Sequence, residues 1–210
     1  MYRRKSVLIT GFIPSDELKQ DPSWDGVKCI NLDEIQNKYN IELTLEGLLV
    51  SYEEVDVKIP RLWRNVQPDL TIHVGASDAA LCFILETQAK RGGYTKDENN
   101  ESGPLGAQNV CKGPDTLVTQ LDVATMCRRF NRPEGKLHAK MSSAAGLSHC
   151  EYVYYTSLSC GRNPTLLVHV PVTKYTSEEL AQGLERILEL CLKQLSHPQD
   201  DLKNDIYNVV

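Results

Sequence analysis

The sequence predicts an α/β fold: a single three-layer α/β/α domain on a mostly parallel, twisted sheet. Three observations lead there. Residues 6–10, 70–75, 81–86 and 165–170 are short runs, apolar almost throughout, which is how strands buried on both faces read. Stretches with helical spacing of apolar positions alternate with them. A chain of 210 residues can also bury a sizeable core without staples. The domain is taken as residues 1–198, and 199–210 as a polar C-terminal tail.

Each element has a local cause. Val7, Leu8 and Ile9 form the first strand, and Gly11 ends it. Asp21-Pro22-Ser23 opens a helix whose apolar face runs through Trp24, Val27, Ile30, Leu32 and Ile35 to about Tyr39. Residues 41–50 predict a strand or hairpin. Residues 52–65 predict a helix that Pro60 must kink or restart. Residues 70–75 and 81–86 are the next strands, the second ending on Glu86. Residues 90–114 are polar, rich in Gly and Asn and without periodicity, a long surface loop. Residues 115–123 are extended, 122–130 helical, and 137–140 a strand. Leu147, Cys150, Val153, Tyr154 and Leu158 carry helical spacing, which puts Cys150 in a first turn. Residues 165–170 are the strongest late strand. Ser177-Glu-Glu starts a capped helix with the face Leu180, Leu184, Ile187, Leu188, Cys191 and Leu195.

Composition removes several function classes. A net charge of −5 without a basic cluster argues against nucleic acid. No apolar run approaches the ~20 residues of a membrane helix, and the N-terminus lacks a signal-peptide pattern. The expected location is cytoplasmic. Seven cysteines with no Cys-x-x-Cys support neither a zinc site nor a dithiol motif. Cys82 and Cys191 read as core, Cys29 and Cys127 as helix-buried, Cys111 and Cys160 as loop residues. The loop after the first strand lacks the glycines and lysine of a phosphate cradle.

One cysteine stands apart. At a helix start the free N–H groups and the dipole favour an anion, so a thiol there ionises more readily. A cysteine nucleophile needs an imidazole to pair with and a third group to orient it. Sheet sites form where strands end, so Glu86 and His169 could converge with Cys150 on one carboxyl edge. Residues alone leave a buried thiol and a satisfied core histidine open as alternatives. His73, inside a strand, reads as an inward ring bonded to backbone. His149 reads as a surface or rim residue.

Taken together, four segments resemble the type I pyroglutamyl peptidases (pyrrolidone-carboxylate peptidases), a cysteine peptidase family of phosphorylase/hydrolase-like fold. Val7-Leu-Ile-Thr-Gly-Phe12-Ile-Pro14-Ser is similar to its opening segment. His73-Val-Gly-Ala-Ser with Leu85-Glu86, followed by Gly93-Tyr94, is similar to its glutamate segment. Ser142-x-x-Ala145-Gly146-x-x-x-Cys150-x-x-x-Tyr154-Tyr155-x-Ser157-Leu158 resembles its nucleophile segment, and Val168-His169-Val170-Pro171 its histidine segment. The resemblance implies Cys150 as nucleophile, His169 as general base and acid, and Glu86 as orienting acid. It implies substrate contacts at Phe12, Ile13, Ser15, Ala76 and His149, no metal and no cofactor. The implied substrates are N-terminally pyroglutamylated peptides, and the implied assembly is a monomer or a homotetramer. Departures fall around the pocket: Ile13 replaces a glycine, Ser15 a second phenylalanine, His149 an apolar residue and Ala144 an acid. They raise a second reading, a weak or inactive relative that binds a peptide or partner.

Overall fold

The computed structural model describes residues 3–14, 21–94 and 103–196. Its centre is a six-stranded sheet in the order β2-β1-β3-β8-β4-β7. The strands β1 (Lys5–Phe12), β2 (Ile41–Leu48), β3 (Leu70–Ser77) and β8 (Thr165–Pro171) run parallel to one another. The strand β4 (Phe83–Glu86) runs antiparallel to β8, and β7 (Ala139–Ser142) follows the direction of β4. A two-stranded antiparallel ribbon, β5 (Gln88–Lys90) with β6 (Thr116–Val118), lies apart from this sheet.

Alternation along each strand divides the core in two. One face carries Val7, Ile9, Ile72, Val74, Leu166 and Val168. It is covered by α1 (Pro22–Lys28), α2 (Leu32–Tyr39), α4 (Val123–Phe130) and α6 (Ser177–Ser196). The other carries Phe12 and Leu48 under α3 (Tyr52–Val66) and α5 (His149–Cys160), with Tyr52, Val55, Ile59, Tyr152 and Val153 packed between. Sheet and two helical layers give the three-layer α/β/α arrangement that the apolar strands predict. Among the described residues no helix is long and apolar enough to cross a membrane.

Several elements differ from the sequence expectation, each for a local reason. The helix expected from 21 to 39 is two helices, because Asn31 caps a new start: its Oδ1 accepts the Glu34 N–H at 3.2 Å. Cys29 falls at the break and is exposed rather than helix-buried. Cys82 is half-buried rather than core. Residues 41–48 form one strand and no hairpin. The helix α3 continues through Pro60, since Val55 and Ile59 before it and Leu62 and Trp63 after it pack on the same cluster. The 90–114 stretch is tied at its base: Gly92 bridges Gln108, and Arg91 N–H donates to Asp115 O at 2.9 Å. Its residues 95–102 lie outside the described residues, as do 197–210.

Candidate active site

The start of α5 brings Cys150 onto the sheet. Ser148 is its extended N-cap and gives no side-chain cap bond. Gly146 (φ 101°) and Leu147 (φ 54°) turn the chain into the helix. Cys150 then lies against Gly75 of β3. A Cβ on Gly75 would run into the Cys150 Sγ and stand 3.4 Å from His169 Cδ2. Only a glycine there lets thiol and imidazole meet over the strand.

His169 sits on β8 directly opposite Gly75 in register, and it is buried. Its Nδ1 faces Glu86 Oε1 at 3.2 Å, and its Cδ2 edge meets the Cys150 side chain over Gly75. Glu86 is 1% exposed, and Tyr154 Oη donates to its backbone carbonyl at 3.0 Å. Burial of the imidazole opposes its protonation. The hydrogen bonds and negative charges of Cys150 and Glu86 outweigh that and push it up to about 10. The arrangement places the imidazole between the half-buried Cys150 sulfur and the buried Glu86 carboxyl. Such a set can perform acyl transfer: a nucleophile, a proton carrier and an orienting acid in a line.

The three predicted residues are together, although by a different route for Glu86. Because β4 is antiparallel to β8, Glu86 does not share the carboxyl edge with His169. It pairs with Leu167, two residues back, and points to the same face as His169. The α5 start does reach that edge, carried there by residues 143–148.

The expected substrate contacts divide. Phe12 is buried in the cluster against which Cys150 packs, on the α3/α5 side. Ile13 is not on that side. Its N–H continues the ladder to Leu48 O at 2.8 Å, and its Cδ1 lies over Gly47 beside Trp24 of α1. The expected bulk near the pocket is therefore on the opposite face. Ala76 follows Gly75, so alternation turns its methyl away from the thiol, and the residue at the thiol is Gly75. His149 is buried, not at a rim: its ring stacks on Tyr52 with centroids 4.0 Å apart. Ser15 lies outside the described residues. Residue-type reading passed over Gly75, Tyr52 and Glu151. A glycine at the end of a buried strand was the available sign for the first.

A family model described as pyroglutamyl peptidase matches residues 5–173. The chain belongs to the pyroglutamyl peptidase family. Pyroglutamyl-peptidase 1 of Rattus norvegicus is 31% identical over 201 residues, covering 95% of each chain. Pyrrolidone-carboxylate peptidase of Bacillus subtilis (strain 168) is 28% identical, covering 96% of this chain and 97% of its own. In structure, the pyrrolidone carboxyl peptidase from Thermococcus litoralis superposes with a TM-score of 0.77 at 19% identity, over 95% of this chain and 98% of that one. That likeness carries the fold. In this member of the pyroglutamyl peptidase family, a cavity of about 480 Å³ opens at the amino ends of β1 and β2, lined by Lys5, Asn40 and Ile41, at the sheet edge away from Cys150.

Proposed function

We propose that this chain is a cysteine omega-peptidase that hydrolyses the N-terminal pyroglutamyl residue from peptides, with Cys150, His169 and Glu86 as its catalytic set. The observation that carries the reading is the convergence of Cys150 and His169 over Gly75 at the start of α5, with His169 hydrogen-bonded to Glu86. The Cys150 thiolate adds to the pyroglutamyl carbonyl, and backbone N–H groups at the helix start receive the oxyanion. Collapse breaks the C–N bond, and the His169 imidazolium gives its proton to the departing amine. The resulting thioester is attacked by water as His169 takes the water's proton; the thiolate leaves, and pyroglutamate is released. Glu86 holds the ring and stabilises its charged form. A lactam has no charged α-amino group, so it needs an apolar wall, which Phe12 would supply, and backbone amides to bond the ring.

Nothing favours an inactive, binding-only relative: the bulk of Ile13, one of the four sequence departures that raise it, lies on the other face. The seven free cysteines suit a reducing compartment, so the cytosol is the proposed location, to be checked by cell fractionation. Residues 1–198 are taken as one peptidase unit.

The test is release of 7-amino-4-methylcoumarin from its pyroglutamyl amide. Wild type is expected to turn over and Cys150→Ser to be inactive. Folded wild type without turnover would remove the peptidase reading, and activity in Cys150→Ser would remove the site assignment.

A further inference from the structure

Glu151 directly follows the thiol residue, and the mechanism above does not use it. Its side chain is 2% exposed. One carboxylate oxygen, Oε2, accepts the Leu147 N–H at 2.6 Å; the other, Oε1, accepts the Lys90 N–H of β5 at 2.8 Å. This is not an ordinary capping box. There, a glutamate three residues into a helix reaches back to the cap residue. Here it passes Ser148 and takes the residue before it. Leu147 has φ 54°, a region that non-glycine residues enter at a cost, and Ser148 gives no side-chain cap. Gly93 lies under the Leu147 side chain, with an added Cβ 3.0 Å from Leu147 Cδ1, so the turn is also seated on the segment after β5.

We infer that Glu151 is a positioning residue: it clamps the 146–148 turn to β5, and thereby fixes the direction of the first N–H groups of α5, which receive the oxyanion. The inference rests on the peptidase reading above. It has a sign that separates it from a charge effect. A buried anion this close to the reacting sulfur disfavours a developing oxyanion, so neutralising it should help the reaction if only charge mattered. If the clamp matters, neutralising it should hurt. Glutamine has one acceptor and one donor end, so one of the two N–H groups would face an N–H₂.

The experiment compares wild type with Glu151→Gln, using the coumarin substrate and two ligands of the pocket. The aldehyde analogue of pyroglutamate adds the Cys150 sulfur to its carbonyl and forms a tetrahedral hemithioacetal. The corresponding alcohol fills the pocket without adding. The expected result is a fall in kcat of about tenfold or more with KM within about twofold, loss of aldehyde affinity in step with kcat, and unchanged alcohol affinity. Aldehyde affinity that stays equal or tightens would overturn the inference, as would an equal loss for aldehyde and alcohol, which marks general damage. If Glu151→Gln does not fold, Glu151→Asp carries the test. Its carboxylate is one methylene too short to hold both N–H groups, and unchanged aldehyde binding in that variant would overturn the inference. A wild type that releases no coumarin would overturn the peptidase reading beneath it; an active wild type with an indifferent variant would overturn the role of Glu151 alone.

Discussion

At the scale of single residues, the site depends on an absence. Gly75 has no side chain where Cys150 Sγ and His169 must meet. Two non-bonded heavy atoms settle at roughly 3.5–4 Å, so a methyl at Gly75 must push the sulfur aside by on the order of 1 Å. A displacement of that size can cost a factor of about 100 in turnover. Gly75→Ala is therefore expected to lower kcat about 100-fold, measured on the coumarin substrate; a loss below about tenfold would mean the thiol steps aside freely. The Glu86 carboxylate makes a different prediction. It is one of the groups that push the His169 imidazolium up to about 10. In the proposed mechanism the imidazolium is the acid for the leaving amine, so activity is expected to fall as pH rises through that value. Removing a group that raises the value must lower it. Glu86→Gln is expected to move the alkaline limb of the kcat/KM profile toward neutral pH, as well as reducing the rate. A limb that stays in place would remove Glu86 from the proposed set. The chemistry of these residues was legible as types: a cysteine at a helix start, with a histidine and a glutamate in strands. Gly75 was not, because its role is the closeness of two other side chains, and no single-residue property encodes that.

At the scale of elements, a buried polar network fixes how α5 lies on the sheet. His73 of β3 is fully buried, with Nδ1 2.7 Å from Thr10 Oγ1 of β1 and Nε2 2.7 Å from Ser157 Oγ of α5. Trp63 of α3 donates its Nε1–H to the same Ser157 hydroxyl at 3.1 Å. Four elements meet at one imidazole, two helical turns beyond Cys150. The expectation of backbone partners for His73 is thus replaced by side-chain partners. Burial pushes its pKa down from 6.5 to about 3. Between those values the unfolded chain holds a proton that the folded chain excludes, so stability is full above 6.5 and is lost as pH falls toward 3. One proton contributes a slope of about 1.4 kcal/mol per pH unit. His73→Gln keeps polar groups on both sides but cannot titrate. Its unfolding free energy, from urea titrations at a series of pH values, is expected to be shallower than wild type by about that slope over this range. Equal slopes would place the acid sensitivity elsewhere. Element existence was readable from periodicity; direction was not read, although a sign existed. Only residues 78–82 join β3 to β4, too few for the crossover that parallel neighbours need. The late strand β8 then inserts between them, and no local pattern announces an insertion from 80 residues downstream.

At the scale of the whole molecule, the sheet separates two tasks. The α1/α2/α4/α6 side is an apolar core of Val, Ile, Leu and Phe side chains. The α3/α5 side carries Cys150, His169, Glu86, His73 and a cluster of tyrosines, among them Tyr52, Tyr94 and Tyr152. Which side a residue serves follows from its parity along the strand, and one step of register exchanges the sides. Phe12 and Ile13 are adjacent in sequence and the resemblance implies both for the pocket, yet only Phe12 has the parity of Thr10 and faces α5. Ile13 has the parity of Gly11, and the missing side chain of Gly47 gives it space beside Trp24. The departure from the family glycine is therefore a packing change on the structural side, and its consequence belongs to stability. Ile13→Gly would remove a half-buried branched side chain and add backbone freedom, a loss of about 1–2 kcal/mol. For a domain of this size that lowers Tm by a few degrees, on the order of 2–4 °C per kcal/mol. KM for the coumarin substrate is expected to stay within about twofold, because the side chain contributes nothing on the face of the proposed site. The two readouts decide between the faces. A falling Tm with constant KM places Ile13 with α1, whereas a changed KM with constant Tm would return it to the pocket.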